Sequence, residues 1–181
     1  MNALLVVGHP TPHSFSHAMA DVAEEVLLAG DCRCVRHDLY AEGFDPVQPV
    51  PESGNVASDD PLVEAHCRDL AAADLVLVFH PNWWSQPPAI VKGWIDRVFR
   101  LGTAYGYPQG VGYDGVPVGL LRARHALVFN TSNTPLARER DVFGDPLEQL
   151  WRTAVFGLCG VASVHRRMFG PMANSTEAQR A

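Results

Sequence analysis

The chain contains a single lysine, Lys92, and its 14 basic side chains are outnumbered by 20 acidic ones, which gives a formal net charge of -6. Nucleic acids and anionic membranes are bound through clustered basic side chains, so this composition argues against both as partners. No apolar stretch approaches the roughly 20 residues that span a bilayer. The N-terminal residues lack a basic leader and a cleavage site, and they predict a strand instead of a signal peptide. We therefore expect a cytoplasmic protein without membrane insertion.

Cysteine is also scarce, and the four present are Cys32, Cys34, Cys67 and Cys159. They form no CxxC pair and no dense framework, which suits a reducing compartment. Three local pairs offer zinc ligands: Cys32 with Cys34, His66 with Cys67, and His13 with His17. None of them has the two-pair spacing of a structural zinc site, so no metal is predicted.

Apolar segments alternate with amphipathic ones along the whole chain. The predicted strands lie at 2–7, 34–38, 74–79, 125–130 and 161–169. The predicted helices end at Gly30, cover 60–72 and 88–101, and begin at a capping box over 145–148. Five strands alternating with helices are typical of a parallel sheet covered on both faces. For a chain of this length we predict one domain, residues 1–181, with the doubly wound strand order 2-1-3-4-5.

Ligands of such sheets bind beyond the carboxyl ends of the strands, where the winding direction reverses. For this strand order the point lies between the first and third strands, so the loops at 8–16, 80–87 and 130–134 are the candidates. The first loop, GHPTPHSFSHAM, offers hydroxyls and backbone N–H groups at a helix start, which can bind an anion or serve only as a helix cap. It matches neither GxxxxGK[ST] nor GxGxxG.

The second loop, PNWWSQPP, places Trp83 and Trp84 between prolines. A stiff backbone beside flat aromatic side chains suits a planar ring with polar edges. The alternative is that the tryptophans fill the space between sheet and helix, as we expect for Trp94 on the helix stripe. The third loop, NTSNTP, offers short polar side chains to such a ring, although these residues are also common in turns.

A long segment, AYGYPQGVGYDG, covers residues 104–115 and carries three tyrosines. It is too long for a simple connection between elements. We interpret it as a lid or as one wall of a substrate cleft.

These stretches resemble the flavodoxin-like NAD(P)H:quinone oxidoreductase family, which includes the ancillary flavoproteins of potassium-efflux systems. The resemblance covers GHPTPHSFSHAM, HDLYAEGFDP, AADLVLVFHPNWWSQPPAIVKGWIDRVF, AYGY with YDG, and LCGV. It implies a flavodoxin-like fold and a bound flavin, FMN in preference to FAD because the chain lacks a long C-terminal extension. By resemblance the flavin is held by His9, Ser14, Phe15, Ser16, Pro81, Asn82, Trp83, Trp84, Asn130, Thr131, Ser132 and Asn133. Trp84, Tyr105, Tyr107 and Tyr113 are the implied substrate contacts.

The chain departs from the family pattern in the third loop. Residues 130–133 are Asn-Thr-Ser-Asn where the family usually has Thr-Thr-Gly-Gly, and the loss of both glycines limits how closely backbone approaches the ring. A tyrosine and a histidine of the animal enzymes correspond to about Ala137 and Phe143. Arg138 or Arg140 is our candidate for supplying positive charge in their place.

The resemblance implies a two-electron reaction in which NAD(P)H passes a hydride to flavin N5, and a quinone or similar flat acceptor then takes its place. Two substrates sharing one slot predict ping-pong kinetics, and no catalytic side chain is assigned. A homodimer is implied, with sites completed across its interface. One alternative is a flavin-binding regulatory subunit of a potassium-efflux transporter. A flavodoxin-type electron carrier is opposed by the absence of T-x-T-G-x-T, and a flavin-free hydrolase or phosphatase by the absence of GxSxG and CxxxxxR.

Overall fold

The computed structural model describes residues 1–54, 57–110, 112 and 114–180. The strands are β1 (Asn2–Val7), β2 (Arg33–Asp38), β3 (Leu75–Pro81), β4 (Tyr105–Gly106), β5 (Val118–Gly119), β6 (His125–Thr131) and β7 (Ser163–Phe169). The helices are α1 (Phe15–Ala29), α2 (Pro61–Ala72), α3 (Ala89–Val98), α4 (Leu136–Asp141), α5 (Pro146–Gln149) and α6 (Glu177–Arg180). A short 3₁₀ turn covers Val50–Gly54, and a π-helical turn over Leu150–Val155 continues α5.

Five strands form the main sheet in the order β2-β1-β3-β6-β7, and all their pairings are parallel. This confirms the predicted order 2-1-3-4-5. The central position of β3 agrees with its sequence, because all seven residues are buried, as expected for a strand covered on both faces. Alternate residues of β1 and β3 join two separate apolar clusters, one under α1 and the other under α2 and α3. Helices therefore cover both faces, as predicted.

The helix starts were predicted with mixed success. Asp60 caps α2, accepting a hydrogen bond from the Leu62 N–H at 2.9 Å, and Pro61 follows at the first helical position. The capping box at 145–148 was wrong: Asp145 has a left-handed backbone (φ 47°) and makes no side-chain cap. Its carboxylate instead binds Arg166 on β7, and this ion pair outcompetes the local helix cap.

Two other predicted segments differ from the structure. Helix α3 ends at Val98 instead of residue 101, because Phe99 leaves the helical conformation and packs edge-on against Trp94, with ring centroids 5.1 Å apart. The tyrosine-rich segment contains β4, which pairs with β5, just beyond the segment, as a small antiparallel sheet. Tyr113 lies outside the described residues. Within the described part of the chain, none of the helices combines the length and apolar character that crossing a bilayer requires.

Candidate functional site

The loops that follow β1, β3 and β6 meet at the carboxyl edge of the sheet and enclose a cavity of about 1000 Å³. Its size is that of a site for a large organic ligand. It is lined by His9, Thr11, His13, Ser14, Phe15, Ala18, Pro81, Asn82, Trp83, Trp84, Ser85, Thr131, Ser132, Asn133, Thr134, Glu139, Phe143 and Met172. The three loops predicted from the sequence thus form one site.

The first loop ends at Ser14, the cap of α1, whose Oγ accepts the His17 backbone N–H at 3.4 Å. The same oxygen lies 2.7 Å from His17 Nδ1, and His17 Nε2 lies 2.9 Å from a carboxylate oxygen of Asp38. Asp38 ends β2, next to β1 in the sheet. A polar chain therefore leads from the cavity wall to the neighbouring strand.

The second loop turns within four residues: the backbone N–H and C=O of Trp83 and Gln86 bond each other at 3.0 and 3.1 Å. Trp84 and Ser85 inside this turn both have φ of 56°, a conformation that costs a non-glycine residue about 1–2 kcal/mol. Trp84 is 99% exposed and Trp83 is 43% exposed. Both tryptophans border the cavity, so they do not fill the space between sheet and helix. Trp94 does fill that space and is fully buried, as expected.

The third loop is tied to the second through backbone and side chains. Asn82 N–H donates to the Thr131 carbonyl at 2.6 Å, and Asn82 Nδ2 donates to Ser132 Oγ at 3.4 Å. Ser132 N–H in turn donates to the Phe169 carbonyl on β7. The loop that lacks the two glycines is therefore ordered by neighbours on both sides.

Glu139 on α4 is a cavity residue that the sequence analysis missed. It is buried, and it accepts hydrogen bonds from Asn82 Nδ2 at 3.0 Å and Ser85 Oγ at 2.9 Å. Both donors are neutral, and among the described residues no basic side chain forms an ion pair with this carboxyl group. Arg138 and Arg140, our candidates for positive charge, are exposed and do not line the cavity. The side chain of α4 that borders the cavity is therefore acidic, not basic as we had expected.

Residues 1–181 match the sequence model of a protein family that has a flavodoxin-like fold. A ribosyldihydronicotinamide dehydrogenase [quinone] of Rattus norvegicus is 30% identical over 201 residues. The match covers 98% of this chain and 85% of the rat protein. The chain belongs to the flavodoxin-like NAD(P)H:quinone oxidoreductase family. An uncharacterized NAD(P)H oxidoreductase of Haemophilus influenzae is 28% identical, and the match covers 94% of this chain and 84% of that protein. The crystal structure of Smu.1420 from Streptococcus mutans UA159 superposes with a TM-score of 0.83 at 29% identity. The superposition covers 99% of this chain and 93% of the Smu.1420 chain.

Ten of the twelve residues with a predicted flavin contact border the cavity: His9, Ser14, Phe15, Pro81, Asn82, Trp83, Trp84, Thr131, Ser132 and Asn133. Ser16 and Asn130 do not, because both side chains are fully buried. Asn130 Oδ1 instead accepts a hydrogen bond from Arg166 at 2.9 Å. The predicted substrate contacts Tyr105 and Tyr107 also lie outside the cavity, with their ring centroids 6.4 Å apart.

The family implies a flavin, and the polar atoms of this site fit one. Asn82 Oδ1 and Ser16 Oγ are buried and have no hydrogen-bond partner among the described residues. A buried polar atom without a partner is costly, so Asn82 Oδ1, which borders the cavity, favours a ligand that supplies a hydrogen bond. Ser16 lies in the first turn of α1 and does not border the cavity, so its hydroxyl gives no evidence for the ligand.

A second polar cluster lies away from the cavity, where His37, Glu42 and His66 bring ligand atoms within 4.8 Å of one another. The Trp94 indole N–H donates to His66 Nδ1 at 3.0 Å, so the proton of neutral His66 is on Nε2, which donates to Glu42. A protonated nitrogen offers no lone pair to a metal. Burial opposes the charge on Glu42, but hydrogen bonds from His37 and His66 lower its pKa to about 2. This cluster joins α2 and α3 to the segment after β2.

Proposed function

We propose that residues 1–181 form one flavodoxin-like domain that acts as a flavin-dependent two-electron NAD(P)H:quinone oxidoreductase. The observation that carries this proposal is the cavity at the switch point of the sheet, with an aromatic wall and the unpartnered amide oxygen of Asn82 at its border. The names of the relatives support it, since one is an NAD(P)H oxidoreductase and another a ribosyldihydronicotinamide dehydrogenase [quinone]. FMN is the proposed flavin, with FAD as the alternative. When bound, the flavin supplies two-electron chemistry between NAD(P)H and the quinone.

Each loop has its own proposed role. His9, Ser14 and Phe15 hold the phosphate and ribityl end, where the N-terminus of the 15-residue α1 favours negative charge. Residues 81–84 run along the ring, and residues 131–133 meet its pyrimidine edge. Ser16 and Asn130 are left without a direct contact to the ring because their side chains are buried.

The proposed substrate side of the cavity includes Trp84, whose side chain is 99% exposed. Because Tyr105 and Tyr107 lie outside the cavity of their own chain, we propose that a homodimer supplies tyrosines to the site of the partner. The proposed location is the cytoplasm. The alternative role in potassium efflux is not favoured, since the relatives named above carry oxidoreductase names.

Purification tests the proposed function directly. We expect a yellow protein with flavin absorbance bands that releases FMN on denaturation, as identified by mass. With NAD(P)H and a quinone, initial rates should give parallel double-reciprocal lines, because both substrates use one slot. A colourless protein that neither FMN nor FAD restores would contradict the proposal.

Glu139→Gln tests whether the buried carboxylate tunes the bound flavin. Removing a negative charge from the cavity wall makes the addition of electrons easier, so we expect the two-electron midpoint potential to rise. A charge interaction of about 1–2 kcal/mol corresponds to roughly 20–40 mV. The measurement is a redox titration followed by flavin absorbance. Asp141→Asn, an exposed carboxylate on the same helix, is the matched control; equal potentials in both variants would show that Glu139 has no electrostatic role.

A further inference from the structure

Ser14, His17 and Asp38 form a hydrogen-bonded chain behind the phosphate end of the proposed flavin site. Ser14 Oγ lies 2.7 Å from His17 Nδ1, and His17 Nε2 lies 2.9 Å from Asp38 Oδ2. The other carboxylate oxygen, Asp38 Oδ1, accepts the backbone N–H groups of Tyr40 and Ala41, each at 3.2 Å. These two bonds fix the carboxylate, so Oδ2 stays directed at His17.

The chemistry of these groups determines where the protons lie. An ionised carboxylate only accepts, so His17 Nε2 carries a proton and donates it to Asp38. In neutral His17 the other ring nitrogen, Nδ1, is then an acceptor, and the hydrogen between it and Ser14 belongs to the hydroxyl. Ser14 Oγ also accepts the His17 backbone N–H. While His17 is neutral, the hydroxyl that borders the cavity has no hydrogen left for a ligand, and it presents only lone-pair density, which repels an anion.

Protonation of His17 reverses this arrangement. Nδ1 then donates to Ser14 Oγ, the hydroxyl hydrogen is released, and it can be donated to a phosphate oxygen in the cavity. Asp38 stabilises the imidazolium, and the new positive charge attracts the phosphate. We infer that His17, held by Asp38, selects a phosphorylated flavin by taking up one proton from solvent when the phosphate binds. This inference rests on the proposed function and assigns His17 a positioning role, exerted through Ser14.

The surroundings of His17 leave few other sources of this effect. The His17 side chain is only 12% exposed. Its ionisable contacts include Asp38 on β2 and His9 in the first loop, whose ring centroid is 6.4 Å away. His13 lies in the same loop and also borders the cavity. Burial, and to a lesser extent proximity to His17, lowers the pKa of His9. Arg36 on β2 is paired with two carboxylates, those of Asp21 and Glu24, so it leaves no free positive charge near the site.

Calorimetry of the apoprotein with FMN and with riboflavin, in buffers of different ionisation enthalpy, measures the proton directly. We expect uptake of about one proton per FMN bound above about pH 7, where the phosphate of FMN itself is mostly dianionic, and no uptake with riboflavin. Affinity for FMN should fall up to about tenfold per pH unit as pH rises, because the complex holds the extra proton. FMN binding without proton uptake would overturn the inference.

His17→Gln keeps a polar side chain but cannot titrate. We expect it to bind FMN with an affinity that no longer depends on pH and that is about tenfold weaker near pH 7, while riboflavin affinity is unchanged. His165→Gln, at an exposed histidine on β7, should retain the wild-type behaviour. Equal weakening of FMN and riboflavin would mean a purely structural role and would overturn the inference, as would loss of the pH dependence in His9→Asn instead.

The two proposals fail separately. If neither FMN, FAD nor riboflavin binds the wild-type protein, the proposed function is wrong. If FMN and riboflavin bind with the same pH dependence, the flavin site stands and the role of His17 is wrong. Because the proton count is measured on the wild-type protein, this result does not depend on whether a variant folds.

Discussion

Arg97→Met is expected to lower the free energy of unfolding by about 3–5 kcal/mol, because it leaves a buried carboxylate without its counter-ion. The side chains of Arg97 and Glu52 are each 4% exposed, and two hydrogen bonds of 2.9 and 2.7 Å join them. A third guanidinium hydrogen bond, 2.6 Å long, reaches the Asp45 carbonyl, and the Ser58 hydroxyl also donates to Glu52. The pair therefore attaches the segment between β2 and α2 to α3.

Urea unfolding at pH 7 measures this loss, which corresponds to roughly 6–20 °C in Tm. Lys92→Met on the same helix is the matched control, since its ion pair with Asp96 is exposed, and we expect a change within about 0.5 kcal/mol. The double variant Arg97→Met with Glu52→Leu should recover part of the stability, because no unpaired charge remains. A loss below about 1 kcal/mol in the single variant would show that Glu52 finds another partner or reaches solvent.

This loss should also depend on pH. Hydrogen bonds from Arg97, with a smaller contribution from Ser58, hold the pKa of Glu52 below its ordinary value of 4.5. The stability that Glu52 gains from the ion pair is thus present above that pH and decreases as the pH falls below it. The difference between wild type and Arg97→Met should accordingly be largest near neutral pH.

Acidification should destabilise the protein through His80, by about 3 kcal/mol between pH 7 and pH 4. His80 is fully buried; its Nδ1 donates to the Pro81 carbonyl at 2.8 Å, and its Nε2 accepts the Trp151 indole N–H at 3.0 Å. The bond from Trp151 requires an unprotonated Nε2, and burial, opposed in part by the bond to Pro81, lowers the pKa of His80 from 6.5 to about 4. In the unfolded chain His80 is protonated as the pH falls below about 6.5, whereas in the folded chain it is protonated only near pH 4. The free energy of unfolding therefore decreases across that interval.

His80→Gln separates this contribution from the other titrating groups. Glutamine keeps a donor and an acceptor but does not titrate. The change in unfolding free energy between pH 7 and pH 4 should therefore be about 3 kcal/mol smaller in His80→Gln than in wild type. His125→Gln removes an exposed histidine at the start of β6 and should follow the wild-type curve. Burial disfavours the charged form of His37, but Glu42 and Asp69 raise its pKa above the ordinary value, so His37 stabilises the folded protein as the pH falls. Parallel curves for wild type and His80→Gln would contradict the assignment.

The strand order and most element positions could be predicted because they depend on local patterns. A continuous apolar run such as β3 has to be central, and Asp60 followed by Pro61 begins a helix wherever it occurs. The prediction was wrong where a distant residue competes with a local pattern. Asp145 has the sequence of a helix cap, but Arg166 lies 21 residues away in the chain and takes its carboxylate.

The candidate site was predicted in outline for a related reason. Parallel strands end at one edge, so loops that follow neighbouring strands meet regardless of their detailed sequence. Which side chains of those loops face the cavity could not be predicted, because that depends on packing. Ser16 turns into the protein, Asn130 is held by Arg166, and no periodic pattern marked Glu139 as the inward side of a helix as short as α4.

By itself, the sequence determined the alternation of strands and helices, the strand order and the three loops that form the cavity. These follow from hydrophobic periodicity, turn residues and the geometry of parallel sheets, all of which are readable from neighbours in the chain. Only the tertiary structure decided that Trp84 is exposed, that Glu139 faces the cavity and that His17 joins Ser14 to Asp38. Such arrangements bring together residues distant in sequence, and the hydrogen bonds that hold them exist only after the sheet has assembled.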